Sequence, residues 1–182
     1  MTSKTFDPRR LDVLAFAAAG ARLQGAEPML QLARLAATQD AAADAGGKVS
    51  WSVQGSKRER EGLEAEHWLH IQADATVQPT CQRCLQPLPI ALRVDVRVRF
   101  VRDERQAEEL DAQSDDYDVL AATGREDLLD LIEDELLLQL PFAPLHDVCP
   151  QSLRQPSAAA LPPSDAAQAP HPFAALKGWK PG

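Results

Sequence analysis

Positive charge and long apolar runs are both scarce in this sequence. Its 19 Lys and Arg residues stand against 27 Asp and Glu residues, which gives a net charge of −8 at pH 7. Proteins that bind nucleic acid through bulk electrostatics are basic instead, so this balance argues against broad nucleic-acid binding. No run approaches the roughly 20 apolar residues that a membrane-spanning helix requires. We therefore expect a cytoplasmic protein that has no membrane partner.

Cysteine is also rare, and the motifs of common enzyme classes are missing. The three cysteines are Cys81, Cys84 and Cys149, and an odd count with one close pair does not fit the disulfide framework of a secreted protein. The sequence has no glycine-rich phosphate loop, no nucleophile elbow and no HExxH zinc helix. These absences predict a protein that is not an enzyme and that has no small-molecule substrate.

The first half of the sequence has the patterns of helices followed by an antiparallel sheet. Asp7 and Pro8 predict the start of a helix that ends at Gly20, and a second helix is expected over residues 28–37. Apolar residues then alternate with polar ones in three runs between positions 48 and 100. This period of two is typical of antiparallel strands with one buried face, so we predict a β meander.

The second half is predicted to hold an acidic loop, a short strand and an amphipathic helix. Residues 103–118 contain eight acids and one base, which favours an exposed loop, and residues 117–120 are read as a short strand. Thr123 and Glu126 have capping-box spacing before a helix over residues 127–140. The fold class predicted from these patterns is α+β, with this acidic helix packed on the sheet.

On that acidic helix, the apolar and charged residues fall on different faces. Ile132 and Leu136 are predicted to face the sheet, while Asp130 and Asp134 are predicted to face water. Glu135 lies at the flank of the apolar face, so we expect a cation to pair with it, such as an arginine from the sheet.

The C-terminal segment differs in composition from the rest of the chain. Residues 150–182 contain seven prolines among 33 residues, which predicts a flexible tail after a single domain over residues 1–149. Within the tail, residues 171–176 include Phe173 and Leu176. Two interpretations stay open, a short docking motif for a partner and a tail that happens to contain two apolar residues.

The spacing of the cysteines fits a metal site better than a redox site. Cys81 and Cys84 lie between two predicted strands, whereas a thioredoxin-type pair needs its first cysteine at a helix N-terminus. A two-residue gap lets both thiolates reach one zinc ion, and His146 with Cys149 repeats that gap. The alternative is a set of reduced cysteines near a turn and a surface histidine. A zinc site requires the fold to bring together two pairs that have 61 residues between them, and we predict this approach.

A row of arginines on the last run of alternating residues is a candidate RNA contact. Arg93, Arg97 and Arg99 share its polar face, and Arg83 precedes it. The wet face of a sheet gives the same pattern, and no aromatic residue alternates with these arginines to stack bases. Both interpretations stay open.

Several segments together resemble the YceD-like family. They are Cys81-Gln82-Arg83-Cys84-Leu85, the acidic helix with Pro141, Pro144-Leu145-His146, Cys149 and the tail segment Pro172–Leu176. The tail motif of the family is usually preceded by Asn, where this chain has His171. Some relatives carry a longer cysteine series after the helix, where this chain has only His146 and Cys149. The resemblance implies a role in the accumulation of large-subunit (23S) ribosomal RNA, and it suggests a small basic large-subunit ribosomal protein as partner.

Three functional hypotheses follow. The leading one is a ribosome-assembly factor that binds a basic ribosomal protein through Asp130, Asp134, Phe173 and Leu176. The second is direct binding of ribosomal RNA through Arg83, Arg93, Arg97 and Arg99. The third is a cysteine-dependent oxidoreductase or hydrolase, which a lowered pKa of Cys81 or Cys84 would favour.

Overall fold

The computed structural model describes residues 5–43, 46–59, 61–62, 64–122 and 124–150, all of which belong to the first of two units of the chain, Met1–Pro150. The expected α+β class is confirmed, and the described residues form four helices and a five-stranded sheet. In chain order the elements are α1 (Val13–Ala18), β1 (Arg22–Pro28), α2 (Ala33–Ala36), β2 (Lys48–Arg58), β3 (Glu66–Val77), β4 (Ile90–Val101), α3 (Glu104–Asp111), β5 (Asp118–Ala121) and α4 (Leu128–Leu138).

The strands lie in the sheet in their sequence order. The first four pair antiparallel, which is the predicted meander, while β5 pairs parallel to β4 after a crossover through α3. Val53, Ile71 and Val96 are neighbours in register across β2, β3 and β4, so their side chains share one face. Helices α1 and α4 cover that face and bury the apolar core between themselves and the sheet. The opposite face carries the polar residues of the same strands.

Helix α4 has the predicted orientation but a different N-terminal cap. Ile132 and Leu136 are fully buried in the core. The predicted capping box is wrong, because the carboxylate of Asp127 caps the helix by accepting from the N–H groups of Leu129 (2.9 Å) and Asp130 (3.2 Å). Glu126 pairs with Leu11 through backbone hydrogen bonds instead, and Thr123 lies outside the described residues.

The N-terminal region differs most from the sequence prediction. Helix α1 begins at Val13 rather than near Pro8, because Asp12 accepts a hydrogen bond of 3.0 Å from the N–H of Ala15. The second predicted helix is shorter, since its first residues form the end of β1 and a 3₁₀ turn before α2. Strand β1 was not predicted. Its Gly25 lies against the ring of Trp51, where an added Cβ would approach ring carbons to 2.7 Å.

The predicted acidic loop over residues 103–118 is wrong in part, because it contains α3. The carboxylate of Asp103 caps this helix by accepting from the N–H of Gln106 at 3.0 Å. Ala107 packs with Val101 and Val119 in a second small core. Side chains alternate along β4, so Val101 points to the face opposite Phe100 and this second core lies on the outer side of the sheet.

No helix in the described part of the chain has both the length and the apolar character needed to cross a membrane.

Candidate metal centre

The link between β3 and β4 folds into a tight turn that carries the first cysteine pair. The N–H of Leu85 donates to the carbonyl oxygen of Cys81 at 2.9 Å, and the N–H of Cys81 donates to Gln86 at 2.9 Å. Leu85 has φ of 58°, a left-handed conformation that lets the chain reverse there. The turn directs both cysteines inward, where Cys81 is completely buried and Cys84 nearly so.

The segment after α4 lies against this turn and brings the second pair of ligands. Pro144 accepts a backbone hydrogen bond of 2.9 Å from Gln82. Two residues later, the N–H of His146 lies within hydrogen-bonding range of the Cys81 sulfur, with a nitrogen–sulfur distance of 3.5 Å. Backbone contacts therefore fix the segment beside the cysteine turn.

The predicted approach of the four side chains is confirmed. One ligand atom from each of Cys81, Cys84, His146 and Cys149 lies within 4.8 Å of the other three. The Sγ atom of Cys84 and the Nδ1 atom of His146 are 3.4 Å apart. Zinc bonds of about 2.0–2.3 Å place tetrahedral ligand atoms about 3.3–3.8 Å from each other, so the group needs only a small contraction to close on one ion. Three sulfurs and one imidazole nitrogen also form a ligand set that zinc accepts.

The surroundings of the cluster act differently on the two cysteines of the turn. Burial alone would raise the pKa of Cys81, but backbone N–H groups of Cys84, His146 and Arg83 stabilise its thiolate and lower that pKa to about 5. Burial raises the pKa of Cys84, and the neighbouring sulfurs of Cys149 and Cys81 add to the effect. All three cysteines are free of disulfide bonds. A metal ion would offset the accumulation of negative charge that these sulfurs would otherwise create.

Arg83 is exposed and lies against this cluster. Its Nε atom donates to the Cys149 sulfur at 3.0 Å, and its Nη2 atom donates to the carbonyl oxygens of His146 at 2.5 Å and Asp147 at 3.4 Å. No sequence pattern connects Arg83 with the second ligand pair, because that contact depends on the loop after α4.

The other three arginines proposed as an RNA contact lie along β4 in different environments. Arg93 is exposed, and its Nε donates to Asp74 at 3.0 Å. Arg97 is exposed opposite His70 of β3. Arg99 has only 16% of its side chain exposed and lies 3.7 Å from the buried carboxylate of Glu66. Arg83 is therefore held at the cysteine cluster and Arg99 beside a buried carboxylate. Arg93 and Arg97 lie on the outer face of β4.

Three acidic residues of α4 form ion pairs with Arg34, a contact that the sequence did not predict. Arg34 binds Asp130 through Nη2 at 2.5 Å, Glu133 through Nε at 3.0 Å, and Asp134 through Nη1. Glu133 is buried and also accepts from the N–H of Leu35 at 2.9 Å. Asp130 and Asp134 remain at the surface, as expected, and three carboxylates around one guanidinium leave this surface negative.

Among the described residues, no arginine forms the ion pair with Glu135 that its position predicted. Burial raises the pKa of Glu135, and the carboxylates of Asp118 and Asp134 raise it further. Within the described ranges, one arginine of the sheet, Arg99, lies beside a buried carboxylate. That carboxylate belongs to Glu66 rather than to Glu135. Phe173 and Leu176, the proposed docking residues of the tail, lie outside the described residues.

Comparison with known proteins relates this chain to a known family. A family model described as "Large ribosomal RNA subunit accumulation protein YceD" matches residues 69–180 of this chain, which include all four residues of the cluster. A Haemophilus influenzae protein of that name is 32% identical over 114 residues. The alignment covers 60% of this chain and 62% of the relative, so the chain spans about three-fifths of the curated relative's length. No solved structure gives a significant match. Because the family model covers more than half of the 182 residues, the chain belongs to the YceD family.

Proposed function

We propose that this chain is a non-enzymatic cytoplasmic factor that supports accumulation of large-subunit (23S) ribosomal RNA, and that it acts by binding a basic large-subunit ribosomal protein. The observation that carries the first part is the family match over residues 69–180, with the name of its Haemophilus influenzae relative. The second part rests on the charge and the apolar character of the surface around α4.

The exposed row on α4 suits a basic protein better than RNA. Asp130, Asp134 and Leu138 are spaced by four residues, so they follow one another along the same side of the helix. Leu138 is 74% exposed, and Phe142 beyond the end of the helix is fully exposed. Protein interfaces combine an apolar centre with charged residues around it, and complementary charge speeds association. RNA phosphates would instead be repelled by the carboxylates.

The test is affinity purification of the tagged full-length chain from growing bacterial cells that lack their own YceD protein. We expect one basic large-subunit ribosomal protein to dominate the eluate and to remain after nuclease treatment. A Leu138→Ser/Phe142→Ser variant should lose that protein, while Leu30→Ser, which changes another exposed leucine, should retain it. Recovery of ribosomal RNA alone, with all proteins released by nuclease, would refute the protein-partner proposal and support direct RNA binding.

For the cysteine cluster, we propose a structural zinc site with Cys81, Cys84, His146 and Cys149 as ligands. Four protein ligands close the coordination sphere, which is typical of structural rather than catalytic zinc. Such an ion would tie the segment after α4 to the β3–β4 turn. Native mass spectrometry should find one zinc ion per chain, which Cys84→Ser and His146→Ala should abolish. His70→Gln is the control, because His70 lies on the outer face of β3. A wild-type chain purified without chelator that contains no zinc and takes none up would exclude the site.

The lowered pKa of Cys81 is the one observation that favours a cysteine-dependent enzyme. Cys81 is completely buried, however, and its sulfur is surrounded by backbone N–H groups and other ligand atoms. A nucleophile must also reach its substrate, so we favour the metal site. Iodoacetamide separates the two proposals. Rapid alkylation of Cys81 in the zinc-containing chain would favour the enzyme, and protection that is lost on chelation would favour the metal site.

A further inference from the structure

Arg83 connects the two halves of the candidate metal centre. It belongs to the turn that carries Cys81 and Cys84, yet its guanidinium donates to three acceptors in the segment after α4. One acceptor is the Cys149 sulfur, at 3.0 Å. The others are the carbonyl oxygens of His146 and Asp147, at 2.5 and 3.4 Å. A single side chain therefore contacts the backbone of His146, the backbone of the residue that follows it, and the sulfur of Cys149.

The chemistry of these contacts suits an arginine in particular. The guanidinium is planar and presents Nε and Nη2 donors side by side, so it can bind a sulfur and a carbonyl oxygen in one fixed arrangement. Lysine has a single donor atom at the end of a flexible chain. Three thiolates and one neutral imidazole around a zinc ion leave one negative charge, and the positive charge of Arg83 offsets it.

The need for such a contact is greatest at Cys149. Cys81 and Cys84 are buried and held within a hydrogen-bonded turn, whereas Cys149 is only partly buried and follows α4 by ten residues of irregular chain. The more accessible ligand is the one from which a metal ion would be lost first, because solvent and competing ligands reach it most easily.

We infer that Arg83 is a positioning residue of the metal centre, which holds Cys149 and the backbone of His146 in their ligating arrangement. This inference rests on the zinc site proposed above. It gives Arg83 a role within the protein instead of the RNA contact that its place in the sequence suggested. Partners of metal ligands typically contribute 10- to 100-fold to metal affinity, which sets the size of the expected effect.

The experiment compares the zinc-loaded wild-type chain with Arg83→Gln, Arg83→Lys and Arg93→Gln. Zinc transfer to a chromogenic chelator should be roughly 10- to 100-fold faster in Arg83→Gln. Arg83→Lys should lie between that variant and the wild type, because it keeps the charge but loses the paired donors. Arg93→Gln removes an exposed arginine of β4 and should release zinc at the wild-type rate.

Cobalt substitution supplies a second readout that a general loss of stability does not produce. An N–H donor to a thiolate withdraws electron density from sulfur, so its loss should shift the sulfur-to-cobalt charge-transfer band of Arg83→Gln to longer wavelength. If Arg83→Gln does not fold, as judged by circular dichroism, the same two measurements on Arg83→Lys decide the question.

The outcomes are distinct. Equal zinc-release rates and identical cobalt spectra in wild type and folded Arg83 variants would overturn the role of Arg83 while leaving the zinc site intact. A wild-type chain that binds neither zinc nor cobalt would overturn the site and this inference together.

Discussion

The Sγ atom of Cys84 lies 3.4 Å from the Nδ1 atom of His146, although 62 positions separate the two residues in the chain. Cys84 belongs to the turn between β3 and β4, whereas His146 follows α4. The contact is possible because α4 packs across β3 and β4, and the segment that follows it pairs with the turn through Pro144. The cluster therefore depends on the correct packing of α4, and residues that hold this helix also support the candidate metal centre.

Leu136 should be among the largest contributors of α4 to stability. It is 0% exposed, so Leu136→Ala should lower the free energy of unfolding by about 2–5 kcal/mol through lost burial and a residual cavity. Leu138→Ala makes the same chemical change on the same helix, but at a side chain that is 74% exposed. It should lower the free energy of unfolding by less than about 0.5 kcal/mol. Urea unfolding followed by circular dichroism measures both. Equal effects would mean that the orientation of α4 is wrong.

Glu133 should contribute more to the stability of the fold than Asp130, although both bind Arg34. The buried carboxylate of Glu133 also accepts a hydrogen bond from the N–H of Leu35. Glu133→Ala leaves this buried donor unpaired and should lower the free energy of unfolding by about 1–3 kcal/mol. Asp130→Ala removes only a surface ion pair and should cost about 0–1 kcal/mol. Unfolding by urea again provides the measurement. If Asp130→Ala proved the more costly of the two, the buried contact to α2 would not be the important one.

Glu135 should make the stability of the protein depend on pH. Its pKa is raised in the folded state by burial and by the carboxylates of Asp118 and Asp134. Between the unfolded and folded pKa values the folded chain binds more protons, so the stability contribution of Glu135 is fully present below the unfolded pKa and is lost as pH rises through the folded pKa. Glutamine does not ionise, so the Glu135→Gln variant does not lose this stability as the pH rises.

We therefore expect Glu135→Gln to raise the midpoint of thermal unfolding at pH 7.5 and to have little effect at pH 4. Glu108→Gln, at an exposed position of α3, is the matched control and should change neither value. A Glu135→Gln variant that is destabilised at pH 7.5 would show that the ionised carboxylate has a favourable partner.

The sequence predicted the elements whose pattern is dictated by a buried face. Strands β2, β3 and β4 alternate because one side of each covers the core, and α4 repeats its apolar residues at helical spacing for the same reason. The approach of His146 to Cys84 was also predictable, because cysteine and histidine pairs with equal gaps suit one metal ion.

Other features depend on contacts that no local pattern reveals. Strand β1 has no fully buried residue, so its apolar alternation is weak, and its position depends on the approach of Gly25 to Trp51. Helix α3 was hidden by its acids, because its buried side is little more than Ala107. Arg34 and its partners on α4 are about 100 positions apart in the sequence. Their contact produces no periodic pattern in either segment, so the sequence does not predict it.

Two charge variants test the proposal that a basic protein partner recognises an acidic surface in the course of ribosomal RNA accumulation. One, the acidic-surface variant, carries Asp130→Asn and Asp134→Asn, the two acids of the exposed row on α4, and keeps the contact of Glu133 with Arg34. The other carries Arg93→Gln and Arg97→Gln on the outer face of β4. Arg99 is excluded because of its place beside buried Glu66.

The measurement is the ratio of 23S to 16S ribosomal RNA in cells that lack their own YceD protein and express each variant at equal level. We predict that the arginine variant restores the ratio as well as the wild-type chain does, while the acidic-surface variant restores it less and co-purifies with less of the basic protein. Full restoration by the acidic-surface variant, together with failure and loss of RNA binding in the arginine variant, would contradict recognition through the acidic surface.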